Sequence, residues 1–376
     1  MIILSKDKAR WLDDMWAKLE NKLASSAILF RNSIPYKTTN GVYRNMHEDY
    51  VQGWTNGFFG GVMWLMYNAT KNDEFRLTAE NQEKMLDDAI VNYDVLHHDV
   101  GFMWGLTAKA NYILTGNKDS RNRSLFMANV LSARANIKGG YIRPWNGPGW
   151  SGKDRKNQTI IDTMMNLPLL YWASEELEDD RFKYVANMHA DMALFDHMRE
   201  DGSIKHLVLH NEVTPGAIGN LAGQGYSAES TWSRGQSWAV YGFALCYLHT
   251  GDEKYLEASK KAADFFLKEV EKSDYKTLTD FAAPPEPLYY DNSAGACASC
   301  GMIELYKVTK DEKYLDGAIK ILQAMEEDCI FDDSNQSILQ NCMESYSKGE
   351  STDLIYGDFF LCEALLKLRN VEFLIW

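Results

Sequence analysis

No run in this sequence approaches the roughly 20 apolar residues of a transmembrane helix. Its first residues, MIILSKDKARWLDDMW, give a short apolar run followed at once by charges. The long apolar core and small-residue cleavage site of a secretory leader are missing, so the expected address is cytoplasmic. Positive charge is in deficit. Lys and Arg number 39 against 53 Asp and Glu, for a formal net charge of -14. Such a surface repels polyphosphate and argues against a general nucleic-acid binder. It does not exclude a small anionic substrate, which a few local cations can hold. Cysteine is sparse: Cys246, Cys297, Cys300, Cys329, Cys342 and Cys362 sit mostly in apolar patterns. They read as free thiols rather than a disulfide framework. Cys297 and Cys300 form one C-x-x-C without a second pair or a nearby His, which suits a buried helix better than a metal or redox site. No H-x-x-H, H-E-x-x-H, P-loop, G-x-S-x-G or dinucleotide fingerprint occurs, so no metal or organic cofactor is expected.

Aromatic residues are plentiful, with 11 Trp, 20 Tyr and 16 Phe in 376 residues. Most belong in a core, and a surplus suits a cleft where sugar rings stack. The dominant pattern is a recurring helical hairpin. Apolar runs such as GFFGGVMWLMY, GFMWGLTAKANYIL and SWAVYGFALCYLH each meet a short polar turn. The turns are Lys71-Asn72-Asp73, Gly116-Asn117-Lys118-Asp119, Glu178-Asp179-Asp180, Gly251-Asp252-Glu253 and Lys310-Asp311-Glu312. Amphipathic helices such as KYLEASKKAADFFLKEV follow them, with apolar residues at i, i+3, i+4 spacing. A helix apolar nearly all round is buried on both sides, whereas an amphipathic one lies outside. Residues 5–30 and 353–370 supply a sixth pair. The expected fold is all-α: a single-domain (α/α)6 barrel over residues 1–376. Minor strands are expected near Tyr141 and over Ile204–Leu209, and Pro284-Pro285-Glu286-Pro287 reads as a rigid loop.

Polar and aromatic residues precede the inner helices: Trp54 and Asn56, then His97, His98 and Asp99, then Asp162, Trp232 with Arg234, Asp291 with Ser293, and Tyr356 with Asp358. If the inner helices run in one direction, these residues share one rim. Asp99 also suits a plain N-cap. Asp162 lies inside the apolar run TIIDTMMNLPLLYW, where an ionised carboxylate needs a partner or water. Pro168 is expected to kink or open that helix. His206 sits in a long loop, where a solvated histidine is the simpler reading. The segment from Gln224-Gly225-Tyr226 to Trp238 reads either as a turn with packed aromatics or as a binding surface. Two carboxylates from adjacent inner helices suit acid/base work on a sugar, because close carboxylates push their pKa values apart.

At these residues the chain resembles the unsaturated glucuronyl hydrolases, glycoside hydrolase family 88. The matching segments are His98-Asp99-Val100-Gly101-Phe102, Ile161-Asp162 through Asn166-Leu167-Pro168-Leu169-Leu170, Gln224-Gly225-Tyr226, Ser230-Thr231-Trp232, and Trp232-x-Arg234-Gly235-Gln236-x-Trp238. Trp54-Thr55-x-Gly57-Phe58 and Leu354-Ile355-Tyr356-Gly357-Asp358 match as well. The resemblance spans almost the whole chain and implies the same barrel. It further implies hydration of a Δ4,5-unsaturated uronic acid at the non-reducing end of a short oligosaccharide, most readily a glycosaminoglycan disaccharide.

On that resemblance Asp162 is the general acid and base, and Asp99 is the second essential aspartate. His206, Gln224, Trp232 and Arg234 bind substrate or order the site. Trp54, Trp145 and Trp238 stack on sugar rings, and Arg234 or helix N-terminal N–H groups neutralise the uronate. The partner is an unsaturated uronyl di- or oligosaccharide, with no nucleic acid and no membrane; the oligomeric state stays open. Gly223 stands where some family members carry His, and Lys348, in the loop Glu344 to Ser351, faces either a sulfate or solvent. Three rival readings remain: a hydrolase of unsaturated galacturonyl-rhamnose from pectin, a sugar epimerase on the same barrel, and a non-catalytic sugar-binding relative.

Overall fold

In the computed structural model, which describes residues 1–147 and 155–376, the hairpin turns share one local chemistry. Inner helices end on a left-handed residue: Lys71, Gly116, Glu178, Gly251 and Lys310. The next residue caps the outgoing helix in four of these turns. Asn72, Asn117, Asp252 and Asp311 each accept a backbone N–H two residues on. The final threonine of the inner helix completes the turn. The hydroxyls of Thr70, Thr115, Thr250 and Thr309 accept the N–H groups of those capping residues at 3.1–3.2 Å. The Glu178 turn departs from this: Asp179 accepts from Arg181 N, and Ser174 accepts from Lys183 N.

Repetition of this turn builds two concentric layers. The inner helices are Phe58–Thr70, the π-helical Gly101–Lys109 continued by Ala110–Thr115, Leu167–Leu177, Ser233–Thr250, Asn292–Thr309 and Ile355–Leu368. Each packs on its neighbours in that order, and Ile355–Leu368 returns onto Phe58–Thr70 to close the ring. The outer helices are Lys6–Leu29, Asp73–Ile90, Lys118–Ser132, Arg181–Met192, Glu253–Val270 and Glu312–Ala324. Burial explains the order. Every residue of Ile355–Leu368 is buried, whereas Glu253–Val270 buries one face through Tyr255, Ala258, Ala262, Phe266 and neighbours. The structure is the expected (α/α)6 barrel, with the sixth pair drawn from the two ends of the chain. No helix among the described residues is long and apolar enough to cross a membrane.

Among the described residues three small antiparallel sheets lie in the connections, including Tyr141–Ile142 paired with Ala135–Asn136. The three-stranded one, Gln158–Ile160, Leu207–His210 and Ala217–Leu221, matters for the site. Its register pairs Ile160 with Leu207, and Ile161 N donates to the His206 carbonyl. One expectation is corrected here. Pro168 neither kinks nor opens a helix, because Leu167–Leu177 begins there and proline occupies its first turn, where the missing N–H costs nothing. Asp162 therefore lies in the preceding 3-10 turn, Ile161–Met165, rather than inside the helix.

Candidate active site

The N-terminal ends of the inner helices are tied to one another by side chains. Trp54 meets Phe102 with ring centroids 5.6 Å apart. Asn166 donates to Asp99 at 3.1 Å. His206 faces both Asp162, at 3.4 Å, and the Trp232 ring, at 4.3 Å. Arg234 pairs with Asp291 at 2.5 Å and lies 5.1 Å over Tyr356. Tyr356 returns to Trp54 at 5.0 Å. The inner helices thus share one rim, and both aspartates sit on it.

Asp99 is buried and surrounded by nitrogen. Its Oδ2 lies 3.1 Å from His98 Nε2 and 3.2 Å from His97 Nδ1. Burial alone would raise its pKa, but the His98 imidazole, helped by His97, holds the carboxyl well below the usual carboxylate range. The side chain is not the helix N-cap that Asp99 alone suggested, because these neighbours engage it. His98 is itself oriented: Nδ1 lies 2.8 Å from the Thr163 hydroxyl, and its ring meets Trp145 edge-on at 5.8 Å.

Asp162 and His206 meet because of the sheet register. Asp162 follows Gln158–Ile160 by two residues, and His206 immediately precedes the paired strand. His206 Nδ1 accepts the Gln224 N–H at 2.9 Å, with the Ala222 carbonyl farther off at 3.3 Å. That leaves the imidazole proton on Nε2, which points at Asp162 Oδ1. Among the described residues neither Asp162 Oδ1 nor His206 Nε2 makes a hydrogen bond elsewhere, although both are buried. Gly223 permits this geometry. Its φ is +60°, and a Cβ there would lie 2.2 Å from His206 Nδ1. On this backbone His206 fills the space that a side chain at position 223 would need.

Arg234 is engaged by the protein. One guanidinium nitrogen donates to Asp291 and to the Met343 carbonyl, and the other donates to the Glu344 carbonyl at 2.7 Å. The guanidinium lies 4.4 Å over the Trp232 ring. Gln224 Nε2 also donates to the Glu344 carbonyl, at 2.7 Å. Both side chains therefore fasten the loop at Glu344, and the Glu344 carboxylate receives Lys37 and the Tyr36 hydroxyl. Arg234 thus orders the site, and of its three guanidinium nitrogens Nε has no partner among the described residues.

The three expected stacking tryptophans separate. Trp54 and Trp145 are half-buried at the rim, and Arg155 lies 4.6 Å over Trp145. Trp238 is a correction. It is 0% exposed and packs on Phe102 and Phe360, because position 238 faces the barrel interior, so it supports the rim from below. Trp232 is also nearly closed off, against His206 and Arg234. Lys348 is exposed. Asn166 and Thr163 orient the aspartate segments, a role the sequence did not assign; Asn166 stood out only as a member of the matching segment, and Thr163 only as a polar residue within an apolar run. A cavity of about 390 Å³ lined by Tyr171, Glu175 and His249 lies at the opposite, C-terminal ends of the inner helices and holds none of these groups. Among the described residues no group of three or more His, Cys, Asp or Glu is arranged to hold a metal ion.

An (α/α)6 toroid with two buried aspartates on the inner-helix rim has the form of a carboxylate-dependent, carbohydrate-active enzyme. The family model for Glycosyl Hydrolase Family 88 matches residues 29–247. An unsaturated glucuronyl hydrolase of Bacillus sp. (strain GL1) is 32% identical over 328 residues, covering 84% of this chain and 86% of that one. A crystal structure of unsaturated glucuronyl hydrolase from Bacillus sp. GL1 matches with a TM-score of 0.85 at 30% identity, covering 94% of this chain and 96% of that one. An unsaturated chondroitin disaccharide hydrolase of Streptococcus pneumoniae is 31% identical, over 86% of this chain and 83% of its own. The chain belongs to glycosyl hydrolase family 88.

Proposed function

We propose that this protein releases the Δ4,5-unsaturated uronic acid from the non-reducing end of lyase-generated oligosaccharides by hydrating the C4=C5 vinyl ether. Asp162 gives its proton to C4, and positive charge develops at C5 and the ring oxygen. The Asp162 carboxylate then takes a proton from the water that attacks C5. The hemiketal opens, and the downstream sugar leaves. Asp99, held as a carboxylate by His98, binds ring hydroxyls. His206 donates from Nε2 to Asp162 once that group is ionised. Trp54 and Trp145 offer faces to the sugar rings, and the barrel acts as one catalytic domain over residues 1–376.

The observation that carries this reading is the facing pair of unsatisfied atoms, Asp162 Oδ1 and His206 Nε2, on the rim that holds an ionised Asp99. The names of the curated relatives support glucuronyl and chondroitin disaccharide substrates. The test is incubation with unsaturated disaccharides from hyaluronan, chondroitin sulfates, heparin and pectin, read as loss of the ultraviolet absorbance of the conjugated enoate. Loss that requires Asp162 supports hydration, and the rank order names the source polymer. A preference for the pectin substrate transfers the reading to galacturonyl-rhamnose. No loss on any substrate with folded protein sinks it.

A further inference from the structure

Asn166 is fully buried and makes three polar contacts, all within the two aspartate segments. Its Nδ2 donates to Asp99 Oδ1 at 3.1 Å and approaches the Asp162 carbonyl at 3.4 Å. Its Oδ1 accepts the Phe102 N–H at 2.8 Å. The amide orientation is thereby fixed, because the reverse orientation would set two donors against each other at Phe102. Gly101 supplies a second, independent observation. A Cβ there would lie 2.5 Å from Asn166 Oδ1 and 2.7 Å from its Cα. The glycine of the His98–Phe102 segment is thus the space that Asn166 fills. A parallel tie, His98 Nδ1 to the Thr163 hydroxyl at 2.8 Å, runs beside it.

We propose that Asn166 is a positioning residue that fixes Asp99 relative to Asp162 for the reaction. The inference rests on the hydration reading given above. Through one amide, Asn166 joins the start of the π-helical segment Gly101–Lys109 to the 3-10 turn carrying Asp162. It also donates to Asp99, a carboxyl that His98 and His97 hold ionised with the more distant charge of Arg134 nearby. Asn166→Ala removes the whole link. Asn166→Asp keeps the acceptor for Phe102 and replaces the donor to Asp99 with a second carboxyl.

The experiment compares wild type, Asn166→Ala and Asn166→Asp, with rates taken per folded molecule. For both variants kcat should fall about 100-fold, the scale of a misplaced catalytic group. KM should stay within about threefold, and the acid limb of kcat should move to higher pH, further in Asn166→Asp. A kcat within about threefold of wild type with an unmoved acid limb overturns the proposal. So does a raised KM with kcat unchanged, which would make Asn166 a substrate contact. Failure of both variants to fold also overturns it and assigns Asn166 to the core. Wild-type protein inert on every unsaturated substrate would instead sink the hydration reading.

Discussion

His206 directs its Nε2 at Asp162 Oδ1 across 3.4 Å, and neither atom has another hydrogen-bond partner among the described residues. The backbone N–H of Gln224 sets this arrangement by holding Nδ1 as an acceptor. Distances slightly beyond hydrogen-bond range are common in catalytic pairs before substrate arrives. Such a pair is costly as mere structure, since an unsatisfied buried polar group loses about 1–3 kcal/mol.

Asp162→Asn keeps shape and volume but removes the exchangeable proton. Loss of enoate absorbance should slow by about 10²–10⁴-fold, the range for a general acid/base, with the unfolding midpoint little changed. Retention of more than a tenth of wild-type kcat would remove Asp162 from the acid/base role.

Gly223→Ala tests the support of His206 from the other side. The left-handed φ of +60° disfavours alanine by about 1 kcal/mol. The added methyl would also displace His206, so kcat should fall as in His206→Ala, by about 10-fold or more. Steady-state kinetics on both variants checks this. A Gly223→Ala protein that loses stability but keeps kcat would show that His206 placement is not limiting.

The barrel was legible because its signal is repeated. Apolar runs, polar turns and amphipathic returns recur along the chain, and the left-handed turn residues sit where the sequence marks turns. Asp99 and Asp162 were legible as polar residues just ahead of inner helices. What stayed hidden depends on three-dimensional register. Trp238 lies six residues after Trp232, but Trp232 stands just ahead of the helix Ser233–Thr250 at the rim and Trp238 lies more than a turn inside it, in the core. The occupation of Arg234 by Asp291, Met343 and Glu344 spans more than a hundred residues of sequence. Pro168 misled because the apolar run preceding it is a strand end and a 3-10 turn rather than helix.

Asp291→Asn should be strongly destabilising. Asp291 and Arg234 are both buried and paired at 2.5 Å. Removing one charge strands the other, at a typical cost of about 3–5 kcal/mol. Urea unfolding of the variant checks this. A midpoint within experimental error of wild type would show that the surrounding carbonyls alone satisfy Arg234.

The protein should also lose stability on mild acidification, for a reason separate from its carboxylates. His210, Thr159 and His197 form a buried chain: the Thr159 hydroxyl lies 2.7 Å from His210 Nε2 and 2.8 Å from His197 Nε2. His197 Nδ1 donates to the Lys205 carbonyl at 2.8 Å, so Nε2 of the neutral ring accepts from Thr159, and Thr159 in turn accepts from His210. An added proton on His197 breaks that order. Burial pushes His197 down to about 3, lowers His210, and sets His189 far below its usual range. In the unfolded chain these groups titrate near 6.5. Their shifts are therefore neutral for stability above that pH and progressively unfavourable below it, down to about pH 3 for His197. His197 costs about 1.4 kcal/mol per pH unit in that window. Asp358, which burial pushes up to about 7, works the other way, because the folded carboxyl binds its proton more readily than the unfolded one, so the histidine share is read from the variant. Urea unfolding at pH 7, 6 and 5 should show falling stability, and His197→Gln should flatten the slope by about one group's share. A slope unchanged in His197→Gln would mean that the folded protein takes up this proton and that the neutral chain does not hold.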